Sequence, residues 1–472
     1  MLMDVMARAR RVGAWISLAA LVASTPATAA RTDGQLDAYV TTGAYVVTFY
    51  PLWFTYNQSR IASVNRLVGP DRISPIYQIV VAINDDTLYA STFIDVTQPV
   101  ILSVPATTGA YSVLTLDPYG NVFDAGLPSQ SPGASLPATT YALTGPNYAG
   151  PVPQGVTRIT MPYTHSILIF RADKYSPGGQ DLRVEAQKFR ASLATQPQCA
   201  YEGTQCPEGT PSGGKALILP EIAFAAPFKT IADTLIANDA IDFLKQLQAA
   251  VKSSIAPPLS ADEKQLSDRF DALFGNGEFA SRGERAPFIA GAQSAHELIL
   301  ERYHANKGAT GWVHFTNIGA WGDALIDRAA ITEFIQYGNG SKTAAYYQTF
   351  HDRQGRALDG GRRNSYTLTF AKSELPAASR FWSVTAYTPE SVELIANPEH
   401  KYVVASYTPG LKYNVDGSLT IHLAPEQPDG VASANWLPIP RRNFNVMLRV
   451  YGPEGSVANN TYVPPAVDRA RQ

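Results

Sequence analysis

Two stretches of the chain consist of short apolar runs separated by proline and glycine, and a helical pattern lies between them. The first β-like stretch covers about residues 72–172, and the second follows Leu358-Asp359-Gly360. Runs of β-branched residues at this spacing are typical of sandwiches and barrels. The clearest runs are residues 99–105, 111–116, 164–170, 366–370, 381–387, 419–423 and 444–451. The pattern predicts a β-rich α+β protein with two β domains.

The last of these runs alternates with a period of two residues. One face would carry Phe444, Val446, Leu448 and Val450, and the other Asn443, Asn445, Met447 and Arg449. A strand with one apolar face and one more polar face predicts half-burial in a two-layer sandwich. Upstream, Asp416-Gly417 predicts a tight turn that leads into the run at residues 419–423.

Helices are predicted between about residue 180 and residue 340. After Pro257-Pro258, Ser260 and Glu263 form a capping-box sequence, so a helix should run from there to about Gly275. Two more helices are expected at residues 292–304 and 321–337. Residues 36–60 predict a separate opening helix that Pro51 should interrupt or kink.

The first thirty residues have the three-part plan of a secretory signal. A basic region is followed by an apolar run at residues 12–22 and by small residues at 27–30. The mature chain should begin at Ala30 or Arg31, which predicts a periplasmic or secreted bacterial protein. The apolar run is too short for a ~30 Å hydrocarbon core, so no integral membrane span is expected. Whether export uses the general or the twin-arginine route stays open.

The charge balance makes nucleic acid an improbable partner. Charged residues make up 17% of the chain, and the formal net charge is −2. A nucleic-acid binder needs a basic stripe to displace counterions, and the longest basic runs here are pairs such as Arg362-Arg363. The two cysteines, Cys199 and Cys206, predict a short-range disulfide in an oxidising compartment. Free thiols are the alternative, and the spacing fits no common zinc site.

Two polar clusters are the candidate chemistry of the chain. Residues 84–89 follow the apolar run 79–83, and residues 117–123 follow the run 113–116. Functional side chains are often placed at the ends of strands of a rigid scaffold. The candidate acid-base residues are Asp86, Asp117 and Tyr89, and the candidate ligand-binding residues are Asn84, Thr87, Tyr119, Asn121 and Arg171. We expect these side chains to line one concavity, because dense polar groups are costly to bury unless they form a network or face a pocket.

Other interpretations of these residues are structural. Asp and Asn commonly close turns by accepting backbone hydrogen bonds, and this is the alternative role of the two clusters. His296-Glu297 begins like a zinc-protease motif, but Leu300 stands where the second ligand is required. No metal or cofactor is predicted, but the carboxylates of Asp85, Asp86 and Asp117 could also hold a hard cation, and whether a cation is bound stays open. No nucleophile elbow or phosphate loop is present. Trp382 and Trp436 are the leading candidates for an aromatic ligand groove, with core packing as the alternative.

Several of these motifs resemble a bacterial family with two tandem domains. The segment from Ala38 to about Leu193 resembles domain of unknown function 1254, through Tyr50-Pro51-Leu52, the residues from Asn84 to Tyr89, Leu102-Ser103-Val104-Pro105 and the residues from Leu116 to Phe123. The segment from about Gly311 to Val467 resembles domain of unknown function 1214, through Leu375-Pro376, the run from Phe381 to Tyr387, the run from Asn414 to Ile421 and Asn435-Trp436-Leu437-Pro438. The resemblance implies two jelly-roll-like β-sandwich domains with helices between them, and no settled activity.

These observations predict an N-terminal β-sandwich at residues 31–195, a helical middle with the disulfide loop at residues 196–340 and a C-terminal jelly-roll-like domain at residues 341–472. The expected function is an exported envelope protein that binds a small neutral ligand, a carbohydrate, an amphiphile or an aromatic compound, in a groove of Asp, Tyr, Asn and Trp. The alternative is a hydrolase or lyase that uses Asp86 and Asp117 as acid-base groups. Whether the protein is an enzyme, and whether it forms a homo-oligomer, stays open.

Overall fold

The computed structural model describes residues 32–220 and 227–470, and the expected secretory signal lies outside the described residues. The protein is mixed α+β, with four sheets in the described part of the chain, none of them closed. The helices are α1 (Asp33–Ser59), α2 (Arg183–Ser192), α3 (Gln198–Tyr201), α4 (Phe228–Asn238), α5 (Ala240–Val251), α6 (Ala261–Phe274), α7 (Arg282–Ala305), α8 (Leu325–Phe334) and α9 (Gly455–Ala458).

The first ten strands build an N-terminal unit of two sheets. They are β1 (Val68–Pro70), β2 (Thr87–Asp95), β3 (Val100–Val104), β4 (Tyr111–Leu116), β5 (Thr139–Thr144), β6 (Thr157–Thr160), β7 (His165–Asp173), β8 (Ala194–Pro197), β9 (Gly214–Lys215) and β10 (Leu217–Leu219). One sheet has the order β10-β1-β2-β7-β4 and the other β6-β5-β3-β8-β9. Side chains of both sheets, such as Leu168 and Leu102, share one buried core. The two sheets therefore pack face to face.

The remaining strands build a C-terminal unit in the same way. They are β11 (Ala344–Thr349), β12 (Tyr366–Phe370), β13 (Ala378–Tyr387), β14 (Val403–Ala405), β15 (Leu419–Ala424), β16 (Trp436–Pro438), β17 (Asn445–Pro453) and β18 (Asp468–Arg469). Their orders are β11-β17-β13-β14 and β16-β15-β12-β18. Val384 and Leu448 of the first sheet share one buried core with Leu368 of the second.

A third and larger core lies between the two units. In β7, Leu168 and Phe170 face the N-terminal core, whereas Ile167 and Ile169 face this middle core. The sheet of β17 divides in the same way, with Leu448 facing the C-terminal core and the other face turned inward. One sheet of each unit is therefore buried on both faces. This explains why β7 and β17 are buried almost throughout, as strands covered on both faces are.

Helices α1, α4, α5, α6, α7 and α8 fill the same middle layer. Helix α1 is buried along most of its length and packs closely on α7, where a Cβ added at Gly291 would lie 2.6 Å from the Tyr39 carbonyl oxygen. Pro51 does not interrupt this helix, which continues to Ser59, so the expected interruption is wrong. Tertiary packing on several sides compensates for the one backbone hydrogen bond that proline removes.

The helix predicted from the capping box is confirmed. The Ser260 side chain accepts from the Glu263 amide at 3.2 Å, and the Glu263 carboxylate accepts from the Ser260 amide at 2.9 Å. The helix ends at Phe274, before Gly275 with its φ of +59°. The other two helices have different bounds: α7 starts ten residues before residue 292, and α8 is shorter at both ends than residues 321–337. No helix in the described ranges is long and apolar enough to cross a membrane.

The structure also corrects two expectations about strands and one about a domain boundary. Residues 79–83 form an irregular segment rather than a strand, so the cluster at residues 84–89 precedes β2 instead of following a strand. The second face of β17 is not exposed: Asn445, Met447 and Arg449 are all buried in the middle layer. The predicted boundary between residues 195 and 196 falls inside β8, because β8, β9 and β10 complete the N-terminal sheets.

Candidate functional site

A cavity of about 270 Å³ lies where the N-terminal unit, the C-terminal unit and α1 meet. Its walls are mainly aliphatic side chains of the segment 79–83, of β7 and of β10. The apolar lining residues are Ile61, Val68, Ile79, Val80, Val81, Ile83, Phe93, Ile167, Ile169, Leu217, Leu219 and Ile335. Their exposure ranges from Ile61, which is 59% exposed, to buried Ile169. The cavity therefore reaches from the surface into the middle layer.

Polar side chains gather among the buried residues of the lining. Asn84, Tyr89 and Arg171 come from the N-terminal unit, and Tyr346, Arg449 and Tyr451 come from the C-terminal unit. Asn84 donates to the Tyr451 hydroxyl, and this bond joins the two units directly. An apolar cavity with a few convergent polar groups is the usual form of a small-molecule site.

The segment 79–84 is held by side chains instead of by a strand ladder. Gln58 donates to the Ile79 carbonyl at 2.7 Å, Tyr387 donates to the Ile83 carbonyl at 2.6 Å, and Arg449 donates to the Ala82 carbonyl. These bonds satisfy backbone groups that a buried segment cannot leave unpaired. The apolar side chains of the segment are thereby presented to the cavity.

Arg171 points inward, as expected, but it has no carboxylate partner among the described residues. Its Nη1 donates to the Asn339 side chain at 2.6 Å, and its Nη2 donates to the Tyr337 carbonyl at 3.0 Å. The guanidinium also lies 5.4 Å from the centre of the Tyr89 ring. Arg171, Asn84 and Tyr89 are the predicted site residues that the structure brings together in the cavity lining.

Asp86 lies outside the cavity lining and connects the two units. Its carboxylate accepts from Tyr407 at 2.6 Å and from Ser383 at 2.8 Å, and the side chain is almost fully buried. Burial raises the pKa of Asp86, while the Tyr407 bond and the nearby Arg449 charge oppose that rise. The neighbouring Thr87 hydroxyl donates to the Asn84 side chain at 3.3 Å and so helps to hold Asn84 in the cavity lining.

The second predicted cluster is a local turn and does not join the first. Asp117 accepts from the backbone amides of Tyr119 and Asn121 at 2.9 and 2.8 Å, and from the Asn121 side chain at 2.8 Å. These bonds are the turn-closing role of Asp. Tyr119 borders a separate space of about 20 Å³, room for about one water. The expectation that both clusters line one concavity is therefore wrong.

The two tryptophans also lie away from the cavity. Trp382 packs in the C-terminal core, with its ring 5.8 Å from the ring of Phe370. Trp436 is buried on edge strand β16, and its indole nitrogen donates to the Ala424 carbonyl at 2.8 Å. Neither ring offers an open stacking face, so the aromatic groove expected from them is not formed. The disulfide between Cys199 and Cys206 is confirmed, with a Cα–Cα distance of 5.2 Å.

A buried charged network among the helices is the other notable cluster. Asp233, His296 and Glu333 hold atoms of metal-ligand type within 4.8 Å of one another. Lys229 already contacts both carboxylates, and the Tyr50 hydroxyl donates to Glu333 at 2.5 Å. An ammonium in that position neutralises the carboxylates that a divalent cation would need. The donor set therefore fits a structural ion network better than a metal site.

Sequence reasoning missed the contribution of the C-terminal unit to the cavity. No prediction was made for Tyr346, Tyr451 was the end residue of the last predicted strand, and Arg449 lay on the more polar face of that strand. One signal was present: Arg449 is the charged residue in the run from Val446 to Val450, and the other four residues of that run are apolar. A charged residue in a strand that is buried on both faces is a candidate for a functional role.

The chain matches two family models, each described as a protein of unknown function. The DUF1254 model covers residues 64–197, and the DUF1214 model covers residues 343–455. These matches confirm the resemblance in the sequence: the protein belongs to the family that combines an N-terminal DUF1254 domain with a C-terminal DUF1214 domain. No curated protein matches the chain.

Two solved structures align with most of the chain. The VPA0106 protein from Vibrio parahaemolyticus aligns with a TM-score of 0.58 and 18% identity, over 92% of this chain and 100% of that one. This likeness concerns the fold alone. An uncharacterized protein from Burkholderia cenocepacia aligns with a TM-score of 0.41 and 13% identity, over 92% of this chain and 94% of that one.

Proposed function

We propose that the protein binds a small, mainly apolar ligand in the cavity between its two double-sheet units. The observation that carries the proposal is one cavity with long aliphatic walls and with polar groups from both units at buried positions. Its volume of about 270 Å³ is near the lower end of ligand pockets. An apolar cavity of roughly 150 Å³ already holds benzene, so a ligand larger than one aromatic ring is expected.

The lining favours an amphiphile over a carbohydrate. Sugar faces stack on exposed aromatic rings, whereas Trp382 and Trp436 are packed elsewhere and the walls are mainly Ile, Val and Leu. The aromatic lining residues are buried or half-buried, namely Tyr77, Tyr89, Phe93, Tyr337, Tyr346 and Tyr451. Burial of an alkyl or ring body against such walls contributes roughly 25 cal/mol per Å² of apolar surface. The polar groups then orient the other end of the molecule.

The hydrolase or lyase alternative has less support. Two acid-base groups need one shared position for a reacting atom. Asp86 is engaged by Ser383 and Tyr407, and Asp117 is engaged by its own turn, and neither carboxylate lines the cavity. No observation favours a catalytic role for either residue over its contacts within the fold.

We also propose where the protein is located and which sandwich topology its two units have. We expect an exported envelope protein that has lost about its first 29 residues, as the secretory pattern predicts. Intact-mass measurement of protein from the periplasmic fraction tests this, and a full-length product there would contradict it. We also expect jelly-roll-like sandwiches, because consecutive strands of each unit repeatedly change sheet, as from β2 to β3 and from β3 to β4.

Binding can be tested with the neutral fluorescent dye N-phenyl-1-naphthylamine. We expect saturable, one-to-one fluorescence enhancement with the full chain. Ser91 lies half-buried in the lining, so Ser91→Trp should fill the cavity and weaken dye binding by at least about tenfold.

The matched control places the same substitution at Ser131, which is exposed and lies outside the lining. Ser131→Trp should bind the dye like the wild type. Absence of saturable binding, or equal binding by Ser91→Trp and wild type, would show that the cavity is not a ligand site for apolar molecules of this kind.

A further inference from the structure

Arg449 is a buried guanidinium that lines the cavity with part of its hydrogen-bonding capacity unused. The side chain is 1% exposed, and its Nη2 donates to the Ala82 carbonyl. Its Nη1 makes no hydrogen bond of good geometry among the described residues, and the Tyr387 hydroxyl that lies near the guanidinium donates to the Ile83 carbonyl. A buried charged donor without a partner is costly, so this N–H is expected to have an acceptor in the functional state.

Arg190 shows that a buried arginine in this protein can have all three guanidinium nitrogens hydrogen-bonded within the fold. Arg190 is as deeply buried as Arg449 but lies outside the cavity lining. Its guanidinium donates to the Tyr89 carbonyl at 3.0 Å, the Asp71 carbonyl at 2.9 Å and the Gln187 side chain at 2.8 Å. Arg328, which is buried outside the lining, leaves its Nε without a hydrogen-bond partner among the described residues, so an unpaired nitrogen alone does not mark a ligand site. The open Nη1 of Arg449 points to a ligand because Arg449 also lines the cavity.

The groups around Arg449 are mainly donors. Tyr451 accepts from Asn84, and Tyr346 accepts from the Asn339 amide at 2.9 Å, so each hydroxyl hydrogen remains able to donate. Arg171 lines the same cavity and is bonded to neutral acceptors. No carboxylate of the described residues forms an ion pair with either Arg171 or Arg449.

The local charge favours one negative charge on the ligand. Asp86 acts on Arg449 through space, but both of its oxygens are engaged by Ser383 and Tyr407. Two guanidiniums against one carboxylate leave a net charge of about +1. A carboxylate matches the planar guanidinium fork and accepts from neighbouring hydroxyls.

We propose that the buried end of the cavity binds the carboxylate of the ligand, so that the ligand is an organic monoanion with an apolar body. This inference rests on the ligand-binding function proposed above and names the ligand class of that site. Arg449 would bind the carboxylate, with Tyr346, Tyr451 and Arg171 beside it, while the aliphatic walls cover the body.

The test compares octanoate with 1-octanol, which has the same chain length but no charge, by isothermal titration calorimetry of the full chain. We expect octanoate to bind at least about tenfold more tightly than 1-octanol. Acetate, the headgroup alone, should bind far more weakly, because it buries almost no apolar surface.

Substitutions then assign the effect to the guanidinium. Arg449→Met should weaken octanoate binding at least about tenfold more than it weakens 1-octanol binding, because methionine keeps the apolar stem and only octanoate loses a charged partner. Arg449→Lys keeps the positive charge but lacks the paired N–H donors of a guanidinium. Its octanoate affinity should therefore lie between those of the wild type and Arg449→Met. Arg183→Met, at an exposed arginine remote from the lining, is the matched control and should bind both probes normally.

The outcomes separate this inference from the proposed function. Equal affinity of the wild type for octanoate and 1-octanol, or unchanged octanoate affinity in Arg449→Met, would overturn the anionic ligand and leave the binding function standing. If the wild type binds neither octanoate nor 1-octanol, the result contradicts both the anionic ligand and the ligand-binding function. If the Arg449 variants do not fold, the wild-type comparison and Arg171→Gln decide, since Arg171 lies at the same cavity.

Discussion

Single polar residues in this protein connect parts of the chain that are hundreds of residues apart. Asp86 is the clearest case, because a carboxylate that follows an apolar run could serve a turn, a reaction or a contact between domains. Its hydrogen bonds to Ser383 and Tyr407 show that Asp86 serves the contact between the two units. Asp117, in a similar sequence context, closes its own turn. The same residue type therefore has two roles that depend on what lies opposite it.

A double-mutant cycle on Asp86 and Tyr407 measures this contact. Asp86→Ala should lower the free energy of unfolding by about 3 kcal/mol, because it leaves two buried hydroxyls without their acceptor and removes the negative charge near Arg449. With Tyr407→Phe already present, the same substitution should cost about 1–2 kcal/mol less. Urea titration of the four proteins gives the values. Additive effects would mean that the Asp86–Tyr407 hydrogen bond adds nothing to stability.

At the level of elements, a charged network joins four helices inside the middle layer. Tyr50 lies on α1, Lys229 and Asp233 on α4, His296 on α7 and Glu333 on α8. The His296 Nε2 lies 3.1 Å from Asp233 Oδ1 and 3.7 Å from Glu333 Oε1. Burial alone would lower the pKa of His296, but the two carboxylates outweigh burial and raise it to about 9.

This raised pKa predicts a loss of stability at alkaline pH. Because the folded-state pKa of His296 lies above its ordinary value of 6.5, its stabilising contribution is complete below about pH 6.5 and is lost as the pH rises through 9. The loss should be about 2–3 kcal/mol between pH 6.5 and pH 9.5.

Urea midpoints of wild type and His296→Gln across this range are the measurement. The wild-type midpoint should fall with pH, and the variant should be flatter and less stable at pH 6.5. His422→Gln is the control, and its urea midpoint should fall with pH as that of the wild type does. Burial lowers the pKa of His422, so this side chain titrates at lower pH. A parallel decline in wild type and His296→Gln would contradict the role assigned to His296.

On the scale of the whole molecule, the two double-sheet units are joined by a layer that contains buried charges. Arg380 of β13 donates through Nε to the Asp173 carboxylate of β7 at 3.1 Å. Asp173 is 2% exposed, and burial raises its pKa to about 6 although the contact with Arg380 lowers it. This pair connects the inward sheet of one unit to the inward sheet of the other.

Removal of Arg380 should therefore destabilise the protein in a pH-dependent way. The folded-state pKa of Asp173 is raised, so the contribution of this carboxyl group is present at low pH and is lost as the pH rises through 6. Arg380→Ala leaves a buried, unpaired carboxylate at pH 8 and should cost about 3 kcal/mol there. At pH 5 the carboxyl group is mostly protonated, and the cost should be clearly smaller.

Thermal and urea unfolding at the two pH values check this prediction. Arg353→Ala is the matched control, because Arg353 and Asp468 form an exposed ion pair whose loss should cost less than about 1 kcal/mol at either pH. Equal destabilisation by Arg380→Ala at pH 5 and pH 8 would mean that Asp173 does not titrate in this range.

The sequence by itself determined the elements whose signals are local, and the family. Strand β12 has the predicted bounds, because five alternating residues between turns are sufficient to specify it. The capping box at Ser260 and the Cys199–Cys206 pair are likewise contacts between residues fewer than ten positions apart. The mixed α+β class follows from the same local patterns. The segment 79–83 shows the limit of this reasoning, since its apolar composition resembles a strand but its backbone bonds go to distant side chains and to the Val392 carbonyl.

Only the tertiary structure decided which surfaces of the two units meet, and therefore which residues line the candidate site. Alternation along β17 separates two faces, yet it does not state what covers each face, so Arg449 appeared exposed although the other unit buries it. Trp382 and Asp86 were ambiguous for the same reason, because their partners come from other strands or from the other unit. The cavity combines residues from 58 to 451. Local patterns report the periodicity of burial, whereas the partners of a buried group are set by long-range packing, which no window of a single sequence contains.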